Sequence, residues 1–371
     1  MFERRLYCHI DWLLVAAVLV LCAIGAGMIY STTYDPTVGT VGPQLSTQFY
    51  ALLFGVVAFA VCLTIDYRVL ADHSPLIYGG MLALLVCVLL FGDVMGGARR
   101  WLSLGPANLQ PSEFAKLALA LLLATYFAEN RRGTVERADL GMVALFTVIP
   151  FLLIAEEPDL GTAVGLLSVA LGVTYLAGLR LQWLAVLATV AMLLAPVAWT
   201  YALEDYQRSR LSTFLDPARD ARGAGYQQIQ ARITVGSGGL AGKGFLQGTQ
   251  GQFNFLPVAH NDFIFSVLAE EQGFLGVIVA LGLYLFVIVR GLDAARLAKD
   301  RLGAYLVVGV MASFAFQVVY NVTMSAGLAP VKGLTLPLMS YGGSSMLMSC
   351  LAIGLLLSVD RSLPPSRVGA R

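Results

Sequence analysis

Residues 12–31 read WLLVAAVLVLCAIGAGMIYS, twenty positions without a single charge. About 20 apolar residues are what a helix needs to cross the hydrocarbon core of a bilayer. Nine further apolar runs follow, at 47–65, 74–92, 111–128, 140–155, 160–178, 182–203, 270–290, 304–326 and 337–359. Their lengths suit helices and they lack the alternation of a barrel strand, so every backbone polar group can pair within its own span. The expectation is an all-α polytopic membrane protein with about ten transmembrane helices. The first run lacks a following small-residue cleavage site and reads as a retained span, not as a signal peptide. The fifth run is the shortest and is bounded by Pro150 and the acidic turn after it.

Composition agrees. Across 371 residues, 58% are hydrophobic and 13% charged, against about 25% charged in a soluble domain; mean hydropathy is +0.75. A net charge of +1 gives no electrostatic case for nucleic-acid binding. The five cysteines (Cys8, Cys22, Cys62, Cys87, Cys350) form neither a disulfide framework nor a metal spacing. His9, His73 and His260 are too scattered for a histidine zinc site. There is no internal repeat and no low-complexity tract, and Leu363-Pro364-Pro365-Ser366 opens a short tail expected to be disordered.

Orientation follows from the basic residues of the short loops. With the N-terminus cytoplasmic, inner segments hold Arg4, Arg5, Arg68, Arg131, Arg132, Arg137, Arg180, Arg290, Arg296, Lys299, Arg301, Arg361, Arg367 and Arg371, fourteen in all, against Arg99, Arg100 and Lys332 outside. Both termini are then expected in the cytoplasm. The three outer exceptions sit on the disfavoured side. Residues 204–261 form a polar, Gly-rich extracytoplasmic loop between the seventh and eighth spans, within one transmembrane domain covering 1–371. That loop carries Arg208, Arg210, Arg219, Arg222, Arg232 and Lys243.

Four outer segments carry more polarity than an anchor needs. In 99–116, Pro111 suits the first turn of a helix, and Glu113 and Lys116 share a helix face. The plain reading is a capped helix start with a local ion pair; the functional one is that ionisable groups at membrane depth face a cavity. Glu156-Glu157-Pro158-Asp159 is a three-carboxylate turn. It is either a hairpin whose Asp159 caps the next helix or a cluster able to hold a divalent cation, and the two are compatible. In the long loop, Tyr206-Gln207-Arg208-Ser209-Arg210 offers two guanidinium forks, and 236–244 is glycine-rich around Lys243. Such a stretch can cradle phosphate, but Walker spacing is missing, and on its own it reads as a flexible, solvated turn. Finally, Asp262 sits at a polar-to-apolar transition beside Phe263 and Phe265. It is either a helix N-cap or a partly desolvated carboxylate with its pKa raised toward that of a general base. Together these features describe a transferase or hydrolase acting on a lipid-linked phosphate substrate, with Asp262 as its base.

The ordered set of motifs resembles the SEDS family (shape, elongation, division, sporulation), whose RodA and FtsW members are peptidoglycan glycosyltransferases. The motifs are RRWLSLG at 99–105, QPSEFAK at 110–116, EPDLGTA at 157–163, DYQRSRL at 205–211, the stretch 223–250, NFLPVAHNDFIFSVLAEEQG at 254–273 and PLMSYGGSSML at 337–347. Gly248-Thr249-Gln250 and 254–257 look more like the RodA branch, the one serving elongation and rod shape. Asn261 stands where the family has Thr, and Val258 where it has Glu. The resemblance implies polymerisation of lipid II into glycan strands on the outer face of the bacterial cytoplasmic membrane. Asp262 would deprotonate the acceptor 4-hydroxyl, with undecaprenyl pyrophosphate leaving. It implies substrate contacts from Arg100, Trp101, Gln110, Glu113, Lys116, Gln207, Arg208, Arg210, Lys243 and His260. Of these, Arg100, Lys116, Arg208, Arg210 and Lys243 would offset pyrophosphate charge. Asp159 is a matched structural or metal-linked position. A divalent cation (magnesium or manganese) and no organic cofactor are implied. So are a class B penicillin-binding protein and other elongation-complex membrane proteins as partners. The competing readings are a lipid II flippase, an FtsW-like division polymerase and a scaffold; outer-face clustering of the ionisable residues favours chemistry at one face over transport.

Overall fold

The computed structural model describes residues 10–35, 39–95, 98–103, 108–130, 134–197, 199–200, 204–220, 223–253 and 255–361. Several basic residues of the orientation count (Arg4, Arg5, Arg131, Arg132, Arg367, Arg371) lie outside them, as do Arg222 and the tail from 362.

Along the chain come α1 (Trp12–Thr33), a short hairpin of β1 (Tyr34–Asp35) and β2 (Thr40–Val41), α2 (Pro43–Thr64), α3 (Tyr67–Asp72) and α4 (Ser74–Phe91). Three antiparallel strands follow, β3 (Asp93–Met95), β4 (Ala98–Ser103) and β5 (Asn108–Leu109), and then α5 (Pro111–Glu129), α6 (Arg137–Glu156), α7 (Leu160–Leu176) and α8 (Leu181–Val197). The polar segment holds α9 (Asp205–Leu215), a 3-10 turn at Pro217–Asp220, α10 (Ala224–Ser237) and α11 (Thr249–Gln252). The chain finishes with α12 (Ile264–Leu297), α13 (Arg301–Ser325) and α14 (Gly343–Arg361). Each of the ten apolar runs therefore contains a helix. Among the described helices, eight are long and apolar enough to cross a membrane; α7 and α8 have 17 residues each.

Successive long helices alternate direction, which two sets of contacts fix. At one end, the Asp11 side chain caps α1 at Leu14 and pairs with Arg290 near the end of α12 at 2.8 Å. At the same end Arg68 grips Asp300 at 2.7 Å and the Tyr67 hydroxyl donates to it, while Ser358 donates to the Ile65 carbonyl. The three-stranded sheet, the 157–159 turn and the 204–262 segment gather at the opposite end. Helices α5 and α14 are central, with 72% and 83% of their apolar windows buried against 17% for α2, whose Phe49, Leu53 and Phe54 point outward. Exposed apolar side chains on a span are the face lipid would cover. Close crossings are made by small residues: a Cβ on Gly55 would meet Cys350 Sγ at 2.7 Å, and one on Gly354 would meet Cys62 Cβ at 2.8 Å. Those thiols are unpaired and serve as packing atoms.

Three expectations change. The last run does not begin a helix at 337. Residues 331–336 carry no regular secondary structure, with Gly333 at φ 66°; a buried turn with Leu338 at φ 67° follows, and α14 starts at Gly343. Hydropathy cannot separate a buried apolar turn such as 337–340 from the start of a span. The fifth helix is not cut at Pro150 but runs through it to Glu156, the proline falling on a buried position where neighbouring helices replace the lost bond. The glycine-rich stretch is a largely exposed turn, as expected, but it is anchored and not flexible. The Lys243 and Gly244 N–H groups donate to the carbonyls of Glu270 (2.9 Å) and Glu271 (3.0 Å), and Phe274 N–H donates to the Gly239 carbonyl at 2.9 Å. The cause lies in α12, which breaks at Gly273 (φ 64°, ψ −165°). Only glycine takes that conformation without penalty. The break releases helical carbonyls that the glycine stretch then caps, as buried backbone groups require.

Candidate functional site

The site is assembled from five separated pieces of chain. Strand β4 brings Arg100, whose Nε donates to the Glu157 carbonyl at 2.8 Å and whose Nη2 donates to the Pro158 carbonyl. The guanidinium thus clamps the α6–α7 turn. Asp159 caps α7 by accepting from Thr162 N–H at 3.2 Å, and its second oxygen accepts from Gln110 Nε2 at 2.9 Å and Ser112 Oγ at 3.4 Å. One carboxylate therefore ties the starts of α5 and α7 together. Glu157 is fully buried beside it, and neither of its carboxylate oxygens has a hydrogen-bond partner among the described residues. Burial pushes its pKa up to about 8; Asp159 adds to the rise and Arg100 opposes it.

Asp262 is not a helix cap: Phe263 holds that position in α12, with no side-chain cap. The Asn261 and Asp262 N–H groups both donate to the Val258 carbonyl, at 3.1 and 3.2 Å. Val258 itself sits at φ 54°, an unfavourable place for a β-branched residue. The turn is held from outside. The Asn321 side-chain amide donates to the Asp262 carbonyl at 2.9 Å and the Leu334 carbonyl at 2.7 Å. Ser340 Oγ donates to the Asn261 carbonyl at 2.7 Å, and Tyr341 N–H to the His260 carbonyl at 3.0 Å. The carboxylate lies against Gly333, where a Cβ would sit 3.4 Å from Oδ2. Asp262 Oδ1 is buried with no hydrogen-bond partner among the described residues. Burial raises the pKa to about 6, Arg210 and then Arg100 pull it down, and Asp159 pushes it up slightly.

Against the α6–α7 turn is a small cavity of about 60 Å³ lined by Pro158, Leu160, Gly161, Gln207, Arg210, Leu211 and Lys332. Arg210 comes from α9 and reaches the Val331 carbonyl at 3.4 Å. Gln207 is also the α9 capping-box residue, accepting from Glu204 N–H at 3.2 Å.

Of the residues expected at the site, Arg100, Gln110, Asp159, Gln207, Arg210 and Asp262 converge through these contacts. Others are engaged elsewhere. Lys116 and Glu113 form a buried ion pair at 2.7 Å. Lys243 pairs with buried Glu270 at 2.6 Å and donates to Thr249 at 2.8 Å. Arg208 spans the Thr200 carbonyl (3.1 Å) and exposed Asp205 (3.6 Å). Trp101 is half-buried on β4, opposite Asp93. The His260 ring meets Tyr341 edge-on at 5.5 Å, and burial disfavours its protonation. Sequence reasoning assigned no role to Asn321, Gly333 or Ser340, and met Glu157 only as one carboxylate of the acidic turn. Asn321 had a usable signal, being an amide in the middle of an apolar run.

A carboxylate poised near neutrality among guanidinium groups can take a proton from a hydroxyl while the cations hold an anion. Comparison with known proteins points the same way. The FtsW, RodA and SpoVE family model, described as a cell cycle protein, matches residues 11–364. The peptidoglycan glycosyltransferase MrdB of Escherichia coli is 37% identical over 354 residues, 95% of this chain and 93% of that one. A similar fold occurs in a chain from a peptidoglycan synthase complex that coordinates polymerization and crosslinking (TM-score 0.83, 34% identity, 96% of this chain and 98% of that chain). Another is the rod shape determining protein RodA of Thermus thermophilus (TM-score 0.72, 31% identity, 96% and 98%).

Proposed function

The chain belongs to the family of FtsW, RodA and SpoVE cell cycle proteins, and from that premise we propose that it is a RodA-type peptidoglycan glycosyltransferase acting on lipid II. The observation that carries this reading is Asp262, a carboxylate with one free buried oxygen, set among Arg100 and Arg210 at one end of an apolar bundle. The excess of basic residues in the other set of short loops supports placing that end on the outer face of the bacterial cytoplasmic membrane, with both termini in the cytoplasm.

In the proposed reaction Asp262 accepts the proton of the acceptor sugar's 4-hydroxyl. The oxygen forms a bond to the donor anomeric carbon, and the bond from that carbon to the phosphate oxygen breaks. The electron pair leaves with undecaprenyl pyrophosphate, whose growing charge the nearby cations offset. Among the described residues no three His, Cys, Asp or Glu side chains are grouped to hold a metal. A divalent cation, magnesium or manganese, would therefore be carried mainly by substrate phosphates. The free oxygens of Asp262 or Glu157 would supply its protein contact. Such an ion would neutralise phosphate charge.

Resemblance to a chain from a synthase complex supports a class B penicillin-binding protein as partner, with other elongation-complex membrane proteins around it. Purified protein with that partner and lipid II should yield glycan strands, and Asp262→Ala should abolish them; polymer from the variant would overturn the assignment. FtsW relatives are as similar, at 36% and 39% identity, which supports division as a second reading. Complementation of elongation-deficient against division-deficient cells separates the two.

A further inference from the structure

Glu270 is fully buried on α12, and the chemistry described so far leaves it only as the counter-charge of Lys243. Its contacts reach further. Beside the Lys243 ammonium at 2.6 Å, its Oε1 accepts from Thr249 N–H at 3.0 Å, the Thr249 hydroxyl at 3.0 Å and Gln250 N–H at 3.2 Å. We propose that Glu270 is a positioning residue for the base. It fastens the far end of the strap from 249 to 262 (described at 249–253 and 255–262), and so fixes where the Asp262 carboxylate stands.

Three observations carry this. First, the contacts close a ring of chain around the base. From Asp262 the chain enters α12 and reaches Glu270 about two turns on. The carboxylate takes the Thr249 and Gln250 amides, and the strap returns from there to Asp262. Bonds inside the strap stiffen the return: Leu256 N–H donates to the Gln250 carbonyl at 3.1 Å, and the Val258 carbonyl accepts from Asn261 and Asp262 N–H. The strap also lies along the helix it is tied to, since a Cβ on Gly251 would meet the Val267 side chain at 3.7 Å. Tying down one end of such a segment removes conformational freedom from all of it.

Second, the place is shaped for the carboxylate. A Cβ on Gly248 would sit 3.0 Å from Glu271 Oε1 and 3.1 Å from Glu270 Oε2. Glycine there lets both carboxylates come up against the start of the strap. Glu271 turns to the Ser31 hydroxyl of α1 instead, so consecutive carboxylates fasten the strap and α1 to the same turn of α12.

Third, a strained residue lies between two holds. Asn321, Ser340 and Tyr341 grip the carbonyls of Asp262, Asn261 and His260. Glu270 grips the amides at the other end. Val258 sits between them at φ 54°, and a β-branched residue keeps such a conformation only where its surroundings over-determine it.

What the base does rests on the polymerase reading; the first test does not need it. In full-length wild-type protein, amide hydrogen exchange read by mass spectrometry should show peptides from 249–253 and 259–263 opening with equal protection, as one unit. Free exchange at 249–253 while 259–263 stays protected overturns the proposal, and no variant has to fold for that result. Glu270→Met removes both accepting oxygens and should speed exchange in both stretches at least about tenfold. With the partner and lipid II, its turnover should fall roughly 10- to 100-fold, the scale of a misplaced catalytic group, with KM little changed. Glu270→Gln keeps one oxygen for the two amides and should recover most of the turnover. Asp300→Asn breaks the Arg68 ion pair at the opposite end of the bundle and should lower the melting temperature with turnover intact. The pH profile gives a further readout. Burial is what raises the Asp262 pKa, and Arg210, Arg100 and Asp159, the other charges facing it, stay in place in the variant. Water entering a loosened turn should therefore move the acid limb of Glu270→Met below about 6. Normal turnover in folded Glu270→Met, Glu270→Gln no better than Glu270→Met, an unmoved acid limb, or an equal turnover loss in Asp300→Asn overturns the proposal. Coupled exchange that Glu270→Met loosens, in a protein that makes no glycan from lipid II, would leave the clasp standing and sink the polymerase; glycan synthesis indifferent to Glu270 would do the reverse.

Discussion

Asn321 donates its side-chain amide to the backbone carbonyl of Asp262 at 2.9 Å, from a fully buried position in α13. The same nitrogen donates to the Leu334 carbonyl at 2.7 Å. One amide therefore holds the proposed base and the Lys332-Gly333 segment in register.

Replacing Asn321 with Leu leaves two buried carbonyls unsatisfied, a cost of about 1–3 kcal/mol for each. Asn321 is a positioning residue, so turnover should fall at least about tenfold while KM for lipid II moves little. The acid limb of the pH profile should shift as well. Steady-state kinetics on folded, monodisperse variant would show this; normal turnover with only a lower melting temperature would reduce Asn321 to a packing role.

The pH dependence of polymerisation should follow Asp262. A base works when ionised, so the rate rises with pH through about 6 and then levels. Arg210 lowers this pKa, so Arg210→Gln should move the midpoint upward. Plots of log kcat/KM against pH for wild type and variant test the sign, and a downward move would contradict the charge arrangement.

Glu157 makes an independent prediction about stability. Its pKa is raised from 4.5 unfolded to about 8 folded. Between those values the folded protein keeps a proton that the unfolded chain has lost. Stability contributed by this group is thus full below about 4.5 and drains away as pH climbs toward 8. Glu157→Gln should be close to neutral at low pH and should raise the melting temperature by a few degrees near pH 8. Thermal unfolding at the two pH values decides it; equal effects at both would refute it.

The Glu113–Lys116 pair is buried on both sides. Removing one partner strands the other, at about 3–5 kcal/mol, whereas removing both is far less harmful. Lys116→Met should lower the melting temperature by several degrees, and Glu113→Leu with Lys116→Met should recover most of it. Activity recovering with stability would mark the pair as structural; activity staying lost would return Lys116 to the substrate.

The one-dimensional pattern by itself determined the membrane character, the ten helical runs and the polar 204–261 segment, because these depend on run length and on which solvent each residue tolerates. It also singled out Asp262, Arg100 and Arg210, ionisable residues whose place at span ends is costly without a use. It could not decide which cations remain available. Glu113, Glu270 and the 157–158 carbonyls take up Lys116, Lys243 and Arg100 through contacts reaching up to 58 residues along the chain, and pairing of that kind has no local signature. Nor could it separate the buried 337–340 turn from the start of a span, since both are apolar. Only the folded chain, with Asn321 fastening the Asp262 and Leu334 carbonyls together and Gly161 and Gly333 leaving room for the chain to close in, decides what surrounds the base.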